Sequence, residues 1–302
     1  MLLAVILILG LLAGMLLAVL LPQLSWLFVL PLLCAFFLAV VYIPRGRTVR
    51  DCPVSVSDAT VSVIVPTLNE IEGVQKVLPR IESGWHDQLL VVDGHSADGT
   101  LEWCKEHGYE TYIQKQSGMW RAFQEIFTSG AVRGDIVVTF SPDGNSLPEV
   151  IPKLVDKIRE GYDMVIASRY YDGAKSDDDT WLTRIGNRLF TALCRVFSGY
   201  RYTDALVIYR AYRADVPKRL GFLRELNWFQ KKLADASNLY GWESSMSIRA
   251  GKAGLRIAEI GADEPKAYRE RRQSTFGHGL ILLLQILYEG IFGKKEVNCA
   301  SS

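Results

Sequence analysis

Hydrophobic residues are distributed unevenly along the 302-residue chain. Residues 1–43 contain no charged or histidine side chain, and a short polar break separates two nearly apolar runs, Leu2 to Leu21 and Trp26 to Ile43. Because about 20 apolar residues span a bilayer core as a helix, these runs predict a transmembrane hairpin over residues 1–43. A signal peptide is the alternative, but that class of segment has a shorter apolar region and a positively charged amino end.

Basic residues follow this apolar segment at once. Arg45, Arg47 and Arg50 lie in a predicted linker, residues 44–60. Short basic flanks stay on the cytoplasmic side of a membrane. The pattern therefore predicts an integral membrane protein whose remaining chain is cytoplasmic.

Beyond residue 60, short β-branched runs alternate with helical patterns. This alternation predicts an α/β fold with a mostly parallel sheet flanked by helices. The predicted strands are Val61–Val65, Leu89–Val92, Thr111–Gln114, Asp135–Phe140, Met164–Ala167 and Leu255–Ile260. The predicted helices are Glu72–Ser83, Thr100–His107, Trp120–Ser129, Pro148–Glu160 and Trp181–Phe197.

Composition narrows the classes of partner. The hydrophobic fraction of 49% supplies ample material for a core. A formal net charge of +1 argues against a nucleic-acid partner, although local basic clusters suit anionic lipid headgroups. The five cysteines show no CxxC spacing, which favours reduced, structural thiols.

Polar side chains concentrate where the predicted strands end. The first strand ends in VPTLNE, the second in VVDGHSADGT, the fourth in TFSPDGN and the fifth in ASRYYDG. Ligands of open α/β sheets bind at the carboxyl ends of the strands, so these segments predict a binding site. Taken singly, each segment also has a local structural interpretation, such as a helix cap for Asp98 or a tight turn for SPDGN.

Together, and in this order, the four segments resemble family 2 glycosyltransferases with the GT-A fold. Within that family they are most similar to polyprenyl-phosphate sugar synthases such as dolichyl-phosphate mannose synthase, over roughly residues 61–275. The resemblance implies a GT-A glycosyltransferase domain over residues 61–265, followed at 266–302 by a basic juxtamembrane segment, an amphipathic helix and a tail. It implies an inverting transfer of one sugar from a UDP- or GDP-linked donor to a polyprenyl (undecaprenyl or dolichyl) phosphate.

The resemblance also implies which residues contact the donor. They are Pro66, Leu68, Glu70, Asp93, Ser141, Pro142, Asp143, Asn145, Arg169 and Arg184. Of these, Asp143 and Asn145 are the implied ligands of Mg²⁺ or Mn²⁺, because carboxylates and amide oxygens suit hard cations. The family has a DxD motif here, and Ser141 replaces its first aspartate.

On the acceptor side, TDALVIYRAYR resembles the acceptor segment of the family. This implies a catalytic or acceptor-site role for Asp204, which is also the candidate base if the acceptor is a hydroxyl. A prenyl phosphate is already anionic and needs cations more than a base. Arg269, Arg271 and Arg272 are the candidates to bind that phosphate, and they equally suit lipid headgroups.

A final apolar-rich stretch, HGLILLLQILYEGIFGKK, predicts an interfacial amphipathic helix, with a buried globular helix as the alternative. Two functions compete with transfer to a prenyl phosphate. One is transfer to the hydroxyl of a lipid or lipid-linked saccharide, and the other is non-catalytic binding of a nucleotide sugar at the membrane. A homo-oligomer is compatible with all three.

Overall fold

One seven-stranded sheet organises the part of the chain that the structure, a computed structural model, describes: residues 58–236, 241–268 and 276–293. The strands are β1 (Val61–Thr67), β2 (Gln88–Asp93), β3 (Glu110–Ile113), β4 (Ile136–Thr139), β5 (Met164–Ser168), β6 (Arg210–Arg213) and β7 (Ile257–Gly261). Their order across the sheet is β3-β2-β1-β4-β6-β5-β7.

Most neighbouring strands run parallel. The pairs β1–β2, β1–β4, β2–β3 and β5–β7 are parallel, whereas β6 is antiparallel to both β4 and β5. The predicted α/β class and mostly parallel sheet are therefore confirmed. All six predicted strands form, with boundaries shifted by up to two residues.

Strand β6 was not predicted, because its sequence RAYR is short and begins and ends with arginine. Arg210 is nevertheless fully buried. Its guanidinium donates hydrogen bonds to the carbonyl oxygen of Val207 (Nε, 3.0 Å) and to Ser247 Oγ (3.2 Å). Neutral acceptors, one of them 37 positions away in the sequence, therefore satisfy the donors of a side chain that the local pattern assigns to the surface.

Helices cover both faces of the sheet. They are α1 (Ile71–Val77), α2 (Thr100–Glu106), α3 (Met119–Thr128), α4 (Ile151–Arg159), α5 (Trp181–Ser198), α6 (Val216–Arg219), α7 (Trp228–Ala236), α8 (Trp242–Ala253) and α9 (Phe276–Phe292). Single 3₁₀ turns occupy Leu78–Arg80, Ser83–Trp85 and Pro148–Val150.

Two prolines explain where the predicted helices were too long. The predicted helix Glu72–Ser83 ends at Val77 and tightens into a 3₁₀ turn at Pro79, since proline has no N–H to continue the helix. Similarly, a 3₁₀ turn starting at Pro148 precedes α4. Helix α8 was missed because serines occupy buried positions in it, so it shows no apolar stripe.

Each face of the sheet has its own hydrophobic core. On one face, α1 and α4 pack against the strands through residues such as Val74 and Leu154. On the other face, α3, α5, α8 and α9 pack around Trp120, Phe197 and Trp242. The carboxyl ends of β1, β2 and β4 therefore open at one edge between two well-packed layers.

Helix α9 forms as predicted, but its polar side chains point into the protein. The N–H of Gly241 donates to Gln285 Oε1 (2.8 Å), and the guanidinium of Arg249 pairs with Glu289 (Nη2–Oε1, 2.7 Å). Both Gln285 and Glu289 are fully buried. An interfacial helix with its polar side toward headgroups would have the opposite orientation.

No helix in residues 58–236, 241–268 and 276–293 is long and apolar enough to cross a membrane. The predicted hairpin, residues 1–43, and most of the predicted linker lie outside the described residues.

Candidate active site

Two loops at the carboxyl ends of β1 and β2 are joined by hydrogen bonds. The N–H of Asn69 donates to Ser96 Oγ (2.9 Å), and Asn69 Oδ1 accepts from the N–H of Ala97 (2.7 Å). The N–H of Glu70 donates to Thr100 Oγ1 (3.0 Å). Asn69 adopts a left-handed backbone conformation (φ 57°), which asparagine tolerates better than most residues. The segment carrying Pro66, Leu68 and Glu70 is therefore fixed relative to β2.

Two aspartates organise these loops from within. Asp98 accepts the N–H of Thr100 (3.0 Å) and that of Ile71 (3.1 Å), the first residues of α2 and α1, while Gly99 is the N-cap of α2. Although partial burial opposes the charged form, these hydrogen bonds lower the pKa of Asp98 below its ordinary value. Asp93 is fully buried, and its carboxylate accepts hydrogen bonds from the Ser96 N–H (2.9 Å) and the Thr67 hydroxyl (3.3 Å).

The SPDGN loop after β4 lies between α1 and Tyr268. A Cβ atom on Gly73 would lie 2.3 Å from the carbonyl oxygen of Pro142, so α1 approaches this loop as closely as a glycine allows. Gly144 has φ 88°, and a Cβ there would lie 2.5 Å from the Tyr268 ring. The N–H of Tyr268 donates to the carbonyl oxygen of Asp143 (2.8 Å).

These elements line an open cavity of about 590 Å³. Its volume is in the usual range for small-molecule sites, and carboxylates dominate its polar lining. The lining residues are Asn69, Glu70, Ile71, Glu72, Gly73, Asp98 and Tyr268. We name it the acidic cavity.

The two residues that were expected to bind a metal ion, Asp143 and Asn145, lie on the SPDGN loop. Asp143 is half-buried, and its Oδ1 accepts the N–H of Asn145 at 3.3 Å. Asn145 is buried, with Nδ2 donating to Glu264 Oε1 (3.1 Å) and Oδ1 accepting from Ser146 Oγ (3.2 Å). No group of three or more His, Cys, Asp or Glu side chains suited to a metal occurs among the described residues.

The side chains of Asp143 and Asn145 fit a metal ion that is bound partly by the protein and partly by the phosphates of the substrate. Mg²⁺ keeps several waters and commonly takes one or two carboxylates together with substrate phosphates. Asp143 can supply such a carboxylate at the surface of the loop. An all-protein cage would need more acids than this loop contains.

Arg169, directly after β5, is bound by two acids. Its Nε and Nη2 donate to Asp204 Oδ2 (2.6 Å) and Oδ1 (3.0 Å), and its Nη1 lies 3.6 Å from Glu264 Oε1. Burial disfavours its charged form, but the charge of Asp204 more than compensates and raises the pKa of Arg169 above its ordinary value. The guanidinium therefore carries a permanent charge in a fixed orientation.

Asp204 has little freedom to act elsewhere. It is fully buried, and the backbone N–H groups of Thr203 and Asp204 both donate to Glu259 (2.8 and 3.0 Å). Burial raises the pKa of Glu259, which these hydrogen bonds partly oppose. To remove a proton from an acceptor, the Asp204 carboxylate would have to leave its buried pair with Arg169.

A second cavity, of about 400 Å³, lies beside Arg169. Four of its lining side chains are cationic and one is acidic. The lining residues are Arg169, Tyr170, Ala174, Lys175, Ser176, Asp177, Arg184 and Arg188. This basic cavity suits an anionic ligand such as a phosphate.

The structure thus separates the residues that sequence reasoning grouped as donor contacts. Glu70 lines the acidic cavity, whereas Arg169 and Arg184 line the basic cavity. Glu264 connects the two, through Asn145 on one side and Arg169 on the other. Glu264, Tyr268, Lys175 and Arg188 were not predicted. The position of Glu264 after β7, a strand parallel to β5, was the available signal.

Arg269, Arg271 and Arg272 lie outside the described residues. The preceding residue, Tyr268, lines the acidic cavity. The predicted arginines therefore follow in the chain directly after a residue at the candidate site.

A family model described as glycosyl transferase family 2 matches residues 62–228, from β1 into α7. The chain belongs to this family. The resemblance inferred from the strand-end motifs is confirmed, and the class of activity is glycosyl transfer. The matched range contains the four strand-end segments that carried the inference.

Two relatives agree with the expected subgroup. The chain is 30% identical over 231 residues to the undecaprenyl-phosphate mannosyltransferase of Micrococcus luteus, covering 73% of this chain and 89% of the relative. It is 28% identical over 218 residues to the polyprenol monophosphomannose synthase of Mycolicibacterium smegmatis, covering 69% and 77%.

A solved structure shows the same fold. Glucosyl-3-phosphoglycerate synthase of Mycobacterium tuberculosis, crystallised with Mn²⁺, UDP and glucosyl-3-phosphoglycerate, matches with a TM-score of 0.59 at 21% identity, covering 85% of this chain and 89% of that chain. The sheet and its flanking helices are therefore GT-A-like.

Proposed function

We propose that this glycosyltransferase moves one sugar, with inversion, from a nucleotide-sugar donor to a polyprenyl phosphate such as undecaprenyl or dolichyl phosphate. The observation that carries the proposal is the pairing of Asp204 with Arg169 beside a basic cavity. The described site thus offers cations for an anionic acceptor, while the carboxylate that was expected to serve as base is paired with one of those cations. A phosphate oxygen needs charge neutralisation and positioning rather than deprotonation.

The acidic cavity and the SPDGN loop form the donor side of this proposal. Pro66, Leu68 and Glu70 would contact the base and ribose, with Asp93 fixing the loop that supports them. Ser141, Pro142, Asp143 and Asn145 would lie along the diphosphate. Mg²⁺ or Mn²⁺ bound by Asp143, with Asn145 near it, would neutralise the leaving nucleoside diphosphate.

The basic cavity forms the acceptor side. Arg169 is pre-oriented by Asp204, and Arg184 is steered by a hydrogen bond from its Nη2 to the carbonyl oxygen of Ser176 (3.3 Å). Arg269, Arg271 and Arg272 would add positive charge at the mouth of the site. Two relatives named for prenyl-phosphate or polyprenol acceptors support this assignment.

The proposal includes a membrane location. Residues 1–43 would anchor the chain as a hairpin, and the domain over 61–265 would face the cytoplasmic leaflet. The basic residues Arg269, Arg271 and Arg272 would lie near the headgroups. The uncharged sequence before Arg45 and the arginines that follow support this arrangement.

Transfer of radiolabelled sugar tests the function. The full chain in detergent or vesicles is supplied with UDP- or GDP-linked sugars, Mg²⁺ or Mn²⁺, and undecaprenyl or dolichyl phosphate. We expect a glycolipid that mild acid hydrolyses, because the new bond is a glycosyl phosphate. An acid-stable glycolipid formed only on a hydroxyl acceptor would contradict the proposal, and so would the absence of any transfer with every donor.

A further inference from the structure

Tyr268 contacts the SPDGN loop although it lies far from that loop in the sequence. Its N–H donates a hydrogen bond to the carbonyl oxygen of Asp143 (2.8 Å). A Cβ on Gly144 would lie 2.5 Å from two carbons of the Tyr268 ring, so only a glycine leaves room for the ring there. Tyr268 therefore restrains the loop through both its backbone and its side chain.

The same ring is bound to α1. The Nζ atom of Lys76 lies 4.4 Å from the ring centroid, and Lys76 also pairs with Glu72 of the acidic cavity (2.7 Å). A cation near the face of an aromatic ring is attracted by the quadrupole of that ring. Tyr268 is 39% exposed and belongs to neither hydrophobic core. Its described contacts are therefore with the walls of the candidate site.

The segment that ends at Tyr268 is itself fixed. We name residues 264–268 the strap. The N–H of Glu264 donates to the carbonyl oxygen of Lys175 (2.8 Å), and the N–H of Ala267 donates to Asp178 Oδ1 (3.3 Å). These hydrogen bonds attach the strap to the loop that precedes α5. The position from which Tyr268 reaches the SPDGN loop is therefore defined.

A restraint at this point of the loop controls the orientation of Asp143. The direction of its carboxylate depends on the backbone torsions, and the next residue, Gly144, has φ 88° and the large backbone freedom of glycine. The hydrogen bond to the Asp143 carbonyl and the ring contact at Gly144 fall on the two sides of one peptide bond. Because Mg²⁺ demands near-ideal octahedral geometry, a misdirected carboxylate binds it poorly.

We infer that Tyr268 is a positioning residue for Asp143: its ring holds the SPDGN loop against α1, so that the carboxylate keeps the orientation that Mg²⁺ or Mn²⁺ requires. This inference rests on the proposed function, in which Asp143 binds the ion. Tyr268 would act through Asp143 and not as a ligand itself. Loss of an outer partner that orients a metal ligand typically lowers metal affinity about ten- to a hundredfold.

Nucleotide binding with and without the metal ion tests this role. The dissociation constants of UDP and GDP are measured by calorimetry on the full chain in detergent, first with Mn²⁺ and then with EDTA. Tyr268→Ala removes the ring but keeps the backbone N–H. For the nucleotide that the wild type binds, we expect the Kd with Mn²⁺ to rise about tenfold and the Kd in EDTA to stay unchanged.

Two matched variants separate the ring from general stability. Tyr268→Phe keeps the ring, so its Kd with Mn²⁺ should stay close to that of the wild type. Tyr162 also has a cation over its ring, with Arg256 Cζ 5.4 Å from the centroid, but it precedes β5 at the opposite end of the strands. Tyr162→Ala should change neither Kd.

Hydrogen exchange provides a second test that needs no ligand. Amide protection of residues 141–146 should fall in Tyr268→Ala and persist in Tyr268→Phe, because the ring restrains this loop. Tyr268→Leu keeps apolar volume but removes the aromatic face that Lys76 approaches, so it should lower protection by a smaller factor. Unchanged protection in both Tyr268→Ala and Tyr268→Leu would overturn the inference.

The nucleotide titrations can also contradict it. An equal rise of Kd with Mn²⁺ and in EDTA would show that Tyr268 only supports the wall of the cavity. A wild-type Kd in Tyr268→Ala would overturn the inference, and so would a wild-type protein that binds neither nucleotide more tightly with Mn²⁺. Since the titrations contain no acceptor, failure of transfer to polyprenyl phosphate is distinguishable from failure of this inference.

Discussion

The acidic and basic cavities of the candidate site are built differently. The loops around the acidic cavity are tied together by hydrogen bonds between Asn69, Ser96, Ala97 and Asp98 or their neighbours. The basic cavity has one cation held in place by an ion pair, Arg169. Two further arginines, Arg184 and Arg188, are exposed on the amino half of α5. Both sides have hydrogen-bonded loops, since the N–H of Lys175 donates to Asp263 Oδ1 (2.9 Å), but only the basic side adds exposed arginines.

This difference suits two different ligands. A nucleotide sugar is a small, rigid, water-soluble molecule, and a preformed cavity lowers the entropy that is lost when it binds. A prenyl phosphate arrives from a lipid layer, so its site must remain open on the side that faces the bilayer. Replacing charged residues in each cavity separately tests whether donor binding and acceptor binding depend on different residues.

The largest effect is expected on the donor side, from Asp143→Asn. The change removes the carboxylate that would bind the cation and should lower kcat/KM about a thousandfold or more. Transfer of radiolabelled sugar measures the loss, and thermal unfolding checks the fold. Asp156→Asn, an exposed aspartate on α4, is the matched control and should retain activity. Wild-type activity in Asp143→Asn would show that this loop does not bind the metal ion.

The next effect is expected on the acceptor side, from the double variant Arg184→Gln and Arg188→Gln. Losing two charge-assisted contacts should raise the KM for polyprenyl phosphate roughly thirtyfold and leave the KM for the donor unchanged. Arg133→Gln, whose arginine pairs with Glu110 on β3, serves as the control. An equal rise in both KM values would show that the two cavities are one site.

A smaller effect is expected from the residue that joins the two sides. Glu264→Gln keeps the shape of the side chain but removes the charge that faces Asn145 and Arg169. Both KM values should rise about fivefold, because each side loses part of its support. A double-mutant cycle with Asn145→Ala should give a coupling free energy of about 1 kcal/mol. Additive effects would mean that Glu264 acts on the acceptor side alone.

The smallest effect is expected from Gly144→Ala in the SPDGN loop. The left-handed backbone at Gly144 and the nearby Tyr268 ring both oppose a side chain there, so unfolding free energy should fall by about 1 kcal/mol. Thermal unfolding measures this change. Combining it with Tyr268→Ala should relieve the contact but keep the backbone strain. Full restoration of stability would show that the contact alone was responsible.

The sequence predicts the parts of the fold that are locally encoded. Runs such as Val61–Val65 and Met164–Ala167 consist almost entirely of apolar residues, and such runs suit strands that are buried on both faces. Strand β6 and helix α8 escaped prediction because their polar residues, Arg210 and Ser247 among them, are satisfied by each other across the fold. Local patterns carry no information about such partners.

The candidate site, like the fold, has parts that the sequence predicts locally and parts that only distant contacts bring together. Strand-end motifs located Glu70, Asp143 and Arg169, because ligand sites in open sheets occur where strands end. Glu264 bonds to Asn145 across 119 positions of sequence, and only the paired strands bring them together. The separation into an acidic and a basic cavity likewise depends on packing.

The most direct test of the account supplies two acceptors of equal chain length, polyprenyl phosphate and the corresponding polyprenol, in the same vesicles with the same donor. The site has an oriented arginine and a basic cavity, and its buried Asp204 is paired with that arginine. We predict transfer to the phosphate and none above background to the alcohol. Transfer to the alcohol at a comparable rate would contradict the account, because that reaction needs a base.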